Sequence, residues 1–127
     1  MSRPDGLLYS RDHEWAKIEG DVATIGITDY AAHQLGDIVF VELPDLGREV
    51  TQFGPVGVVE SVKAVSDLFA PVGGEVVETN GELSARPELV NGDPLGDGWM
   101  LRVRVADMAQ FDALLDQAAY DELTKEA

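Results

Sequence analysis

Turn-forming residues, spread along the whole chain, constrain the fold more than any other sequence feature. Of 127 residues, 13 are glycine and 6 are proline, and they interrupt the apolar stretches before any becomes long. Short strands fit between such turns, whereas long helices do not. An apolar fraction of 45% argues against disorder, and the length is that of one domain with its own core. We therefore predict one mainly β domain over residues 1–127.

The apolar runs predict a series of hairpins with one short helix among them. Residues 15–18 and 22–27 flank the turn Glu19-Gly20-Asp21 and predict a hairpin. Residues 28–36 predict a short helix, with Thr28 or Asp29 as its N-cap and Gly36 at its end. Further strands are predicted at residues 37–43, 56–62, 65–70, 74–79 and 99–105.

The C-terminal segment, residues 107–125, changes to a helical period. Its apolar residues recur every third or fourth position and are Met108, Phe111, Leu114, Leu115, Ala118 and Ala119. Asp107 is suited to cap the start of a helix. We predict one amphipathic helix, or two short ones, packed on the sheets.

Composition excludes several classes of function. The chain has no cysteine, so disulfides, thiolate metal sites and cysteine nucleophiles are excluded, and redox chemistry would need an added group. The formal net charge of −15 disfavours nucleic-acid and anionic-membrane binding. No apolar run is long enough to span a membrane, and the N-terminal residues 1–6 lack the apolar region of a signal peptide. A soluble, cytoplasmic protein is the expectation.

Residues 60–67 form a chemical palindrome of acid, serine and valine on each side of Lys63-Ala64. Folded as a two-residue hairpin about Lys63-Ala64, it would place three pairs opposite one another: Val62 and Val65, Ser61 and Ser66, Glu60 and Asp67. Lys63 would then lie at the exposed apex. It is the only Lys or Arg between Arg48 and Arg86. An isolated lysine on a rigid turn suits an enzyme that modifies one amine, although an ordinary exposed turn lysine fits the geometry equally well.

Several motifs, in order, resemble the H-protein family of the glycine cleavage system over nearly the full length. They lie at residues 10–15, 25–31, 35–44, 59–64, 71–76 and 98–100. The resemblance implies a lipoyl/biotinyl hammerhead fold, a barrel-sandwich hybrid of two small antiparallel sheets joined by the palindromic hairpin. It also implies that Lys63 carries (R)-lipoate. Biotin carriers typically have Met-Lys-Met at this turn and 2-oxo acid dehydrogenase domains Asp-Lys-Ala, whereas Val62-Lys63-Ala64 is the H-protein form. The attaching enzyme would recognise the hairpin through Glu60, Ser61, Val62 and Ala64.

The family is a non-catalytic carrier, and the resemblance implies its partners. A pyridoxal-phosphate glycine decarboxylase (P protein) loads the aminomethyl group, and a tetrahydrofolate-dependent aminomethyltransferase (T protein) removes it. Dihydrolipoyl dehydrogenase (L protein) reoxidises the arm. A lipoate ligase, or a lipoyl or octanoyl transferase, attaches it. Such a carrier acts in the bacterial cytoplasm, or in the mitochondrial matrix if the chain is a processed eukaryotic protein.

The resemblance also implies that Glu14 and Asp67 dock the loaded arm, whose protonated amine favours an acidic neighbour. One departure concerns histidine. Some members have it at the position of Gln34, whereas here it is His33, which on a helix is rotated by about 100°. His13 is predicted to be a structural hydrogen-bonding residue.

Other interpretations compete with the carrier. His13 and His33 with nearby acids could be imagined as a metal site, but their spacing fits no known zinc motif, and no Gly-x-Ser-x-Gly supports a hydrolase. An H-like relay that donates lipoyl or octanoyl groups to other domains, or an unmodified interaction module, would use the same fold.

Overall fold

The computed structural model describes residues 7–125, and within that range it contains nine β-strands. They are β1 (Leu7–Tyr9), β2 (Glu14–Glu19), β3 (Val22–Ile27), β4 (Ile38–Glu42), β5 (Glu49–Val50), β6 (Pro55–Ser61), β7 (Val65–Phe69), β8 (Gly74–Thr79) and β9 (Leu101–Val105). The segment 1–6, for which the sequence predicts no signal peptide, lies outside the described residues.

The strands form two sheets in which every pairing is antiparallel. Six strands form the large sheet in the order β1-β2-β3-β9-β8-β5, and three form the small sheet in the order β4-β6-β7. The mainly β, two-sheet prediction is therefore confirmed. The hairpin β6–β7 belongs to the small sheet, so whatever fixes that sheet also fixes the position of Lys63.

The core lies between the sheets and follows the alternation of the strands. In β9, Leu101 and Val103 are fully buried, whereas Arg102 and Arg104 point to the opposite face. Each arginine there contacts a glutamate of β8: Arg102 lies 2.6 Å from Glu78, and Arg104 lies 3.0 Å from Glu75. This is the face separation that the sequence of β9 predicts.

Helices connect the strands and close the ends of the sheets. They are α1 (Asp29–Leu35), α2 (Glu82–Ala85), α3 (Leu89–Gly92), α4 (Gln117–Lys125) and a 3-10 helix (Met108–Ala113). The predicted caps of α1 are present: Thr28 Oγ1 accepts the Ala31 N–H, and Gly36 ends the helix with φ 85°. Within residues 7–125 no helix has the length and apolar character needed to cross a bilayer.

The C-terminal segment forms two short helices, the second of the two predicted arrangements. Asp107 caps the first by accepting the Ala109 N–H. A β-bridge between Tyr9 and Leu115 then separates the two helices, so the helical periodicity does not continue from one to the other. The prediction that the apolar residues of this segment all pack on the sheets is therefore wrong for Ala118 and Ala119, which are exposed. Instead Tyr120 packs inward, with its ring stacked on Tyr9 at 4.5 Å.

Candidate functional site

The hairpin β6–β7 presents Lys63, but its register differs from the predicted one. Glu60 pairs with Val65, Val59 with Ser66, and Val58 with Asp67. The Ser61 N–H donates to the Ala64 carbonyl at 2.8 Å, so Val62 and Lys63 occupy the centre of the turn. The palindromic pairing about Lys63-Ala64 is wrong, because the turn is centred one residue earlier.

Ser61 explains the shifted turn. Its side chain is 6% exposed, and its Oγ accepts the main-chain N–H groups of Ala64 at 3.0 Å and Lys63 at 3.2 Å. A serine hydroxyl that bonds the backbone two and three residues ahead stabilises a tight turn without glycine. The palindrome predicted Ser61 as a cross-strand partner of Ser66, whereas the structure uses it as an internal brace of the turn.

The side chains around the tip of the hairpin are exposed and largely apolar. Val62 is 68% exposed and Val65 is 67% exposed, while Lys63 and Ala64 are also exposed. Glu60 is half-buried on β6, between Phe40 of β4 and Val65 of β7. Lys63 is exposed, and within residues 7–125 no carboxylate lies at ion-pair distance from its amine.

Glu14 is enclosed at the junction of the two sheets. It is 2% exposed, and its Oε1 accepts the Ser10 hydroxyl at 2.6 Å. Its Oε2 accepts the main-chain N–H of Phe69 at 3.1 Å, which links β2 of the large sheet to the free edge of β7. Burial raises the pKa of Glu14 to about 8, against the effect of these hydrogen bonds, which lower it. The carboxyl therefore holds a proton over much of the neutral range.

We expect this proton to make stability depend on pH. Because the native pKa of Glu14 is raised above its ordinary value of 4.5, the stabilisation is fully present below that value and is lost as pH rises through about 8. From about pH 5 to about pH 8 the free energy of unfolding should fall by roughly 3 kcal/mol relative to a Glu14→Gln variant. Glutamine retains an acceptor for the Phe69 N–H and does not titrate. Urea unfolding at a series of pH values measures the difference between the two proteins.

The comparison with Glu14→Gln is needed because His13 also makes stability depend on pH. Burial lowers the pKa of His13, so its contribution to the free energy of unfolding rises with pH below neutrality, opposite to that of Glu14. Glu19→Gln, at the exposed end of the same strand, is the matched control and should follow the wild-type slope. Parallel slopes for the wild type and Glu14→Gln would mean that Glu14 is already ionised in the native protein.

Asp67 lies on the same strand that Glu14 binds, but it is exposed. It is paired with Val58, which is in turn paired with Glu42, so these three side chains share one face of the small sheet. A shallow hollow beside them is also lined by Pro44 and Arg48. Both predicted docking acids are therefore associated with β7. Asp67 belongs to the strand and has an exposed side chain, whereas Glu14 accepts a buried hydrogen bond from the backbone of Phe69.

The two histidines lie on the side of α1 and α4. His13 Nδ1 is 2.9 Å from the Tyr120 hydroxyl, which is 2.7 Å from Thr28 Oγ1, so His13 is the structural hydrogen-bonding residue that the sequence predicts. His33 borders a hollow between α1 and α4, with Asp29 and Asp121. Within the described range, 7–125, no three His, Asp or Glu side chains are grouped so that they could hold a metal ion.

Comparisons with known proteins agree with this geometry. Residues 7–127 match the family model described as "Glycine cleavage H-protein". The glycine cleavage system H protein of Symbiobacterium thermophilum is 54% identical over 97% of this chain and 96% of its own length. That of Phenylobacterium zucineum is 59% identical over 91% of this chain and 95% of its own. A crystal structure of the H protein from Mycobacterium marinum superposes with a TM-score of 0.88 at 37% identity, covering 97% of this chain and 99% of that one.

Proposed function

The chain belongs to the glycine cleavage H-protein family, a family of lipoyl carriers and not of catalysts, and on this premise we propose that Lys63 holds (R)-lipoate through an amide bond. The observation that carries the proposal is the position of Lys63 in the centre of a turn that Ser61 braces. A braced turn fixes the backbone of Lys63, so that its flexible side chain extends from one defined position. When attached, the group would supply the thiol–disulfide chemistry that a cysteine-free chain lacks.

The residues beside Lys63 fit recognition by an attaching enzyme, a lipoate ligase or a lipoyl or octanoyl transferase. Val62 and Ala64 are exposed on either side of the lysine and can be contacted directly. Ser61 acts through the turn, and Glu60 provides a half-buried acid on the strand that leads into it. We propose that the attaching enzyme recognises the surface that these four residues form together.

Asp67 and Glu14 are proposed to dock the loaded arm in different ways. Asp67 is exposed on the strand that follows Lys63, where a carboxylate can pair with a protonated amine. Glu14 is enclosed, and its described bonds hold the edge of β7 at Phe69, two residues beyond Asp67. We propose that Glu14 sets the position of this strand and that its buried carboxyl ionises when a cation comes close.

Replacing Asp67 by asparagine keeps the side-chain shape and removes the charge. We expect the rate of glycine cleavage in a reconstituted system to fall about tenfold, because the amine loses its anionic neighbour. Lipoylation of Lys63 should be unchanged, since Asp67 lies away from the turn. Asp21→Asn, in an exposed turn of the large sheet, serves as the control. Equal rates for Asp67→Asn and the wild type would remove Asp67 from the docking site.

The partners proposed for the chain are those of the system to which the family belongs: glycine decarboxylase (P protein), aminomethyltransferase (T protein) and dihydrolipoyl dehydrogenase (L protein). A bacterial cytoplasm is the proposed location. The test is to combine these three enzymes with the pre-lipoylated chain, glycine, tetrahydrofolate and NAD⁺, and to follow NADH. Formation of NADH that depends on the chain supports the shuttle. A lipoylated chain that yields no NADH but passes its acyl group to another lipoyl domain would instead be a relay protein.

A further inference from the structure

The segment 36–38, between α1 and β4, lies directly against the hairpin that carries Lys63. The Asp37 carbonyl accepts the Val62 N–H at 3.0 Å, and Ile38 is paired with Ser61. Gly36 lies beside the stem of Lys63, since a Cβ on Gly36 would be 3.4 Å from Lys63 Cε. The segment therefore contacts three consecutive residues of the hairpin, 61–63.

Asn91 holds this segment from the opposite side. Its Oδ1 accepts the Ile38 N–H at 2.8 Å, and its Nδ2 donates to the Gly36 carbonyl at 2.9 Å. One planar amide thus binds a donor and an acceptor that flank Asp37, whose own carbonyl is left to receive Val62. The amide of Asn91 makes both bonds, whereas a carboxylate cannot donate the second and an aliphatic side chain can make neither.

The segment needs an external brace because it has little regular structure of its own. Gly36 ends α1 with φ 85°, a conformation that favours glycine. The pairing of β4 with β6 is then interrupted between Ile38 and Phe40. Between these two irregularities, the side-chain amide of Asn91 replaces the bonds that a helix or a continuous ladder would supply.

The element that carries Asn91 is firmly fixed. Asn91 belongs to α3, whose neighbouring residue Val90 is fully buried. The backbone of α3 packs closely on Gly98, where a Cβ would lie 2.6 Å from the Leu89 carbonyl oxygen. A rigid α3 can therefore transmit its position through Asn91 to segment 36–38.

We propose that Asn91 is a positioning residue for the attachment lysine: through Gly36 and Ile38 it fixes the Asp37 carbonyl, which orients Val62 and Lys63 for the attaching enzyme. The inference rests on the proposed function of Lys63. It adds a residue distant in sequence from the hairpin to the determinants of its modification.

The test compares Asn91→Ala with Asn80→Ala. Asn80 is a matched control, because its buried amide also bridges backbone groups, donating to the carbonyls of Asp97 and Trp99. Both variants should lose stability. Only Asn91→Ala should accelerate hydrogen exchange of the Val62 amide, by about tenfold, and lower kcat/KM for acylation by a purified lipoate ligase by a similar factor. Kinetics are measured under conditions in which each variant is fully folded.

Wild-type exchange at Val62 together with wild-type kcat/KM in Asn91→Ala would overturn the proposal, as would equal effects in Asn80→Ala. Should Asn91→Ala not fold, Asn91→Asp keeps the acceptor for the Ile38 N–H but sets a carboxylate oxygen against the Gly36 carbonyl in place of the donor. Exchange of the Val62 amide should then rise, and kcat/KM should fall, each by at least about threefold. If the wild type is never acylated, the function proposed for Lys63 fails. The exchange rate of Val62, measured on the unmodified chain, still decides whether Asn91 positions the hairpin.

Discussion

Replacing Lys63 by arginine is expected to reduce glycine cleavage to the background rate of a system without this protein. Arginine keeps the positive charge and a similar length, but its guanidinium is always protonated and does not form the amide that lipoate requires. No other lysine should substitute, because no other lies in the turn braced by Ser61. The measurement is NADH formation in the reconstituted system, after exposure of the variant to the attaching enzyme.

Lys17→Arg is the control for this experiment. Lys17 lies on β2 of the large sheet, 3.9 Å from Glu19, and its replacement should leave both acylation and glycine cleavage unchanged. Unfolding curves of Lys63→Arg should match the wild type, since Lys63 is exposed. Glycine cleavage that survives in Lys63→Arg would refute the carrier mechanism at this residue.

Gly74→Ala is expected to lower the free energy of unfolding by roughly 3 kcal/mol. Gly74 begins β8 with φ 151°, a backbone conformation that L side chains rarely adopt. A Cβ there would collide with the carbonyl oxygen of Arg104 and lie 2.9 Å from Val103 Cγ1. Because Gly74 is paired with strands on both sides, β5 and β9, neither neighbour can move away freely.

Urea unfolding measures the loss, and Gly81→Ala is its matched control. Gly81 precedes α2 with φ −64°, and a Cβ there meets nothing within 4 Å. Its replacement should change stability by less than about 0.5 kcal/mol. If Gly74→Ala unfolded at the wild-type urea concentration, the close approach of β8 to β9 would have to be wider than described.

Local sequence patterns predicted seven of the nine described strands, because each pattern reflects the burial of its own strand. The two that were missed, β1 and β5, are only three and two residues long. The alternation in β9 separates Val103 from Arg102, and the turn Glu19-Gly20-Asp21 joins β2 to β3 as expected. The caps of α1 were also predicted correctly, because capping depends on residues adjacent in sequence. The helical character of the C-terminal segment was predicted, as one helix or two, but its burial was not, because the Tyr9–Leu115 bridge depends on a strand at the other end of the chain.

The palindrome favours a pairing of like residues, whereas the observed one of the two candidate pairings joins unlike residues, such as Glu60 with Val65. What decides between them is the hydroxyl of Ser61, whose hydrogen bonds to Lys63 and Ala64 compete with cross-strand pairing. The shift moves the partner of Glu60 from Asp67 to Val65, so the two acids do not face each other. Because the partner moves by two residues, each side chain keeps its face of the sheet.

The environments of Glu14 and Asn91 also escaped prediction, because both depend on distant contacts. The residues near Glu14 in the sequence do not indicate that its carboxyl accepts a hydrogen bond from the Phe69 N–H of the other sheet. Asn91 lies in a short segment between Pro87 and Pro94 whose composition is that of an ordinary turn. Its side chain nevertheless forms hydrogen bonds with the backbone of Gly36 and Ile38. Such residues are found by asking which groups satisfy irregular backbone, a question that requires the fold.

The most direct test of the account is the mass of the protein from cells able to attach lipoate, followed by tryptic mapping. Lys63 is the only Lys or Arg between Arg48 and Arg86, and Arg86 precedes Pro87, which resists trypsin. Acylation of Lys63 would block cleavage and leave one peptide, residues 49–102, heavier by one lipoyl or octanoyl group. Cleavage into residues 49–63 and 64–102 without added mass, persisting after incubation with a lipoate ligase, lipoate and ATP, would contradict the assignment of Lys63 as the carrier residue.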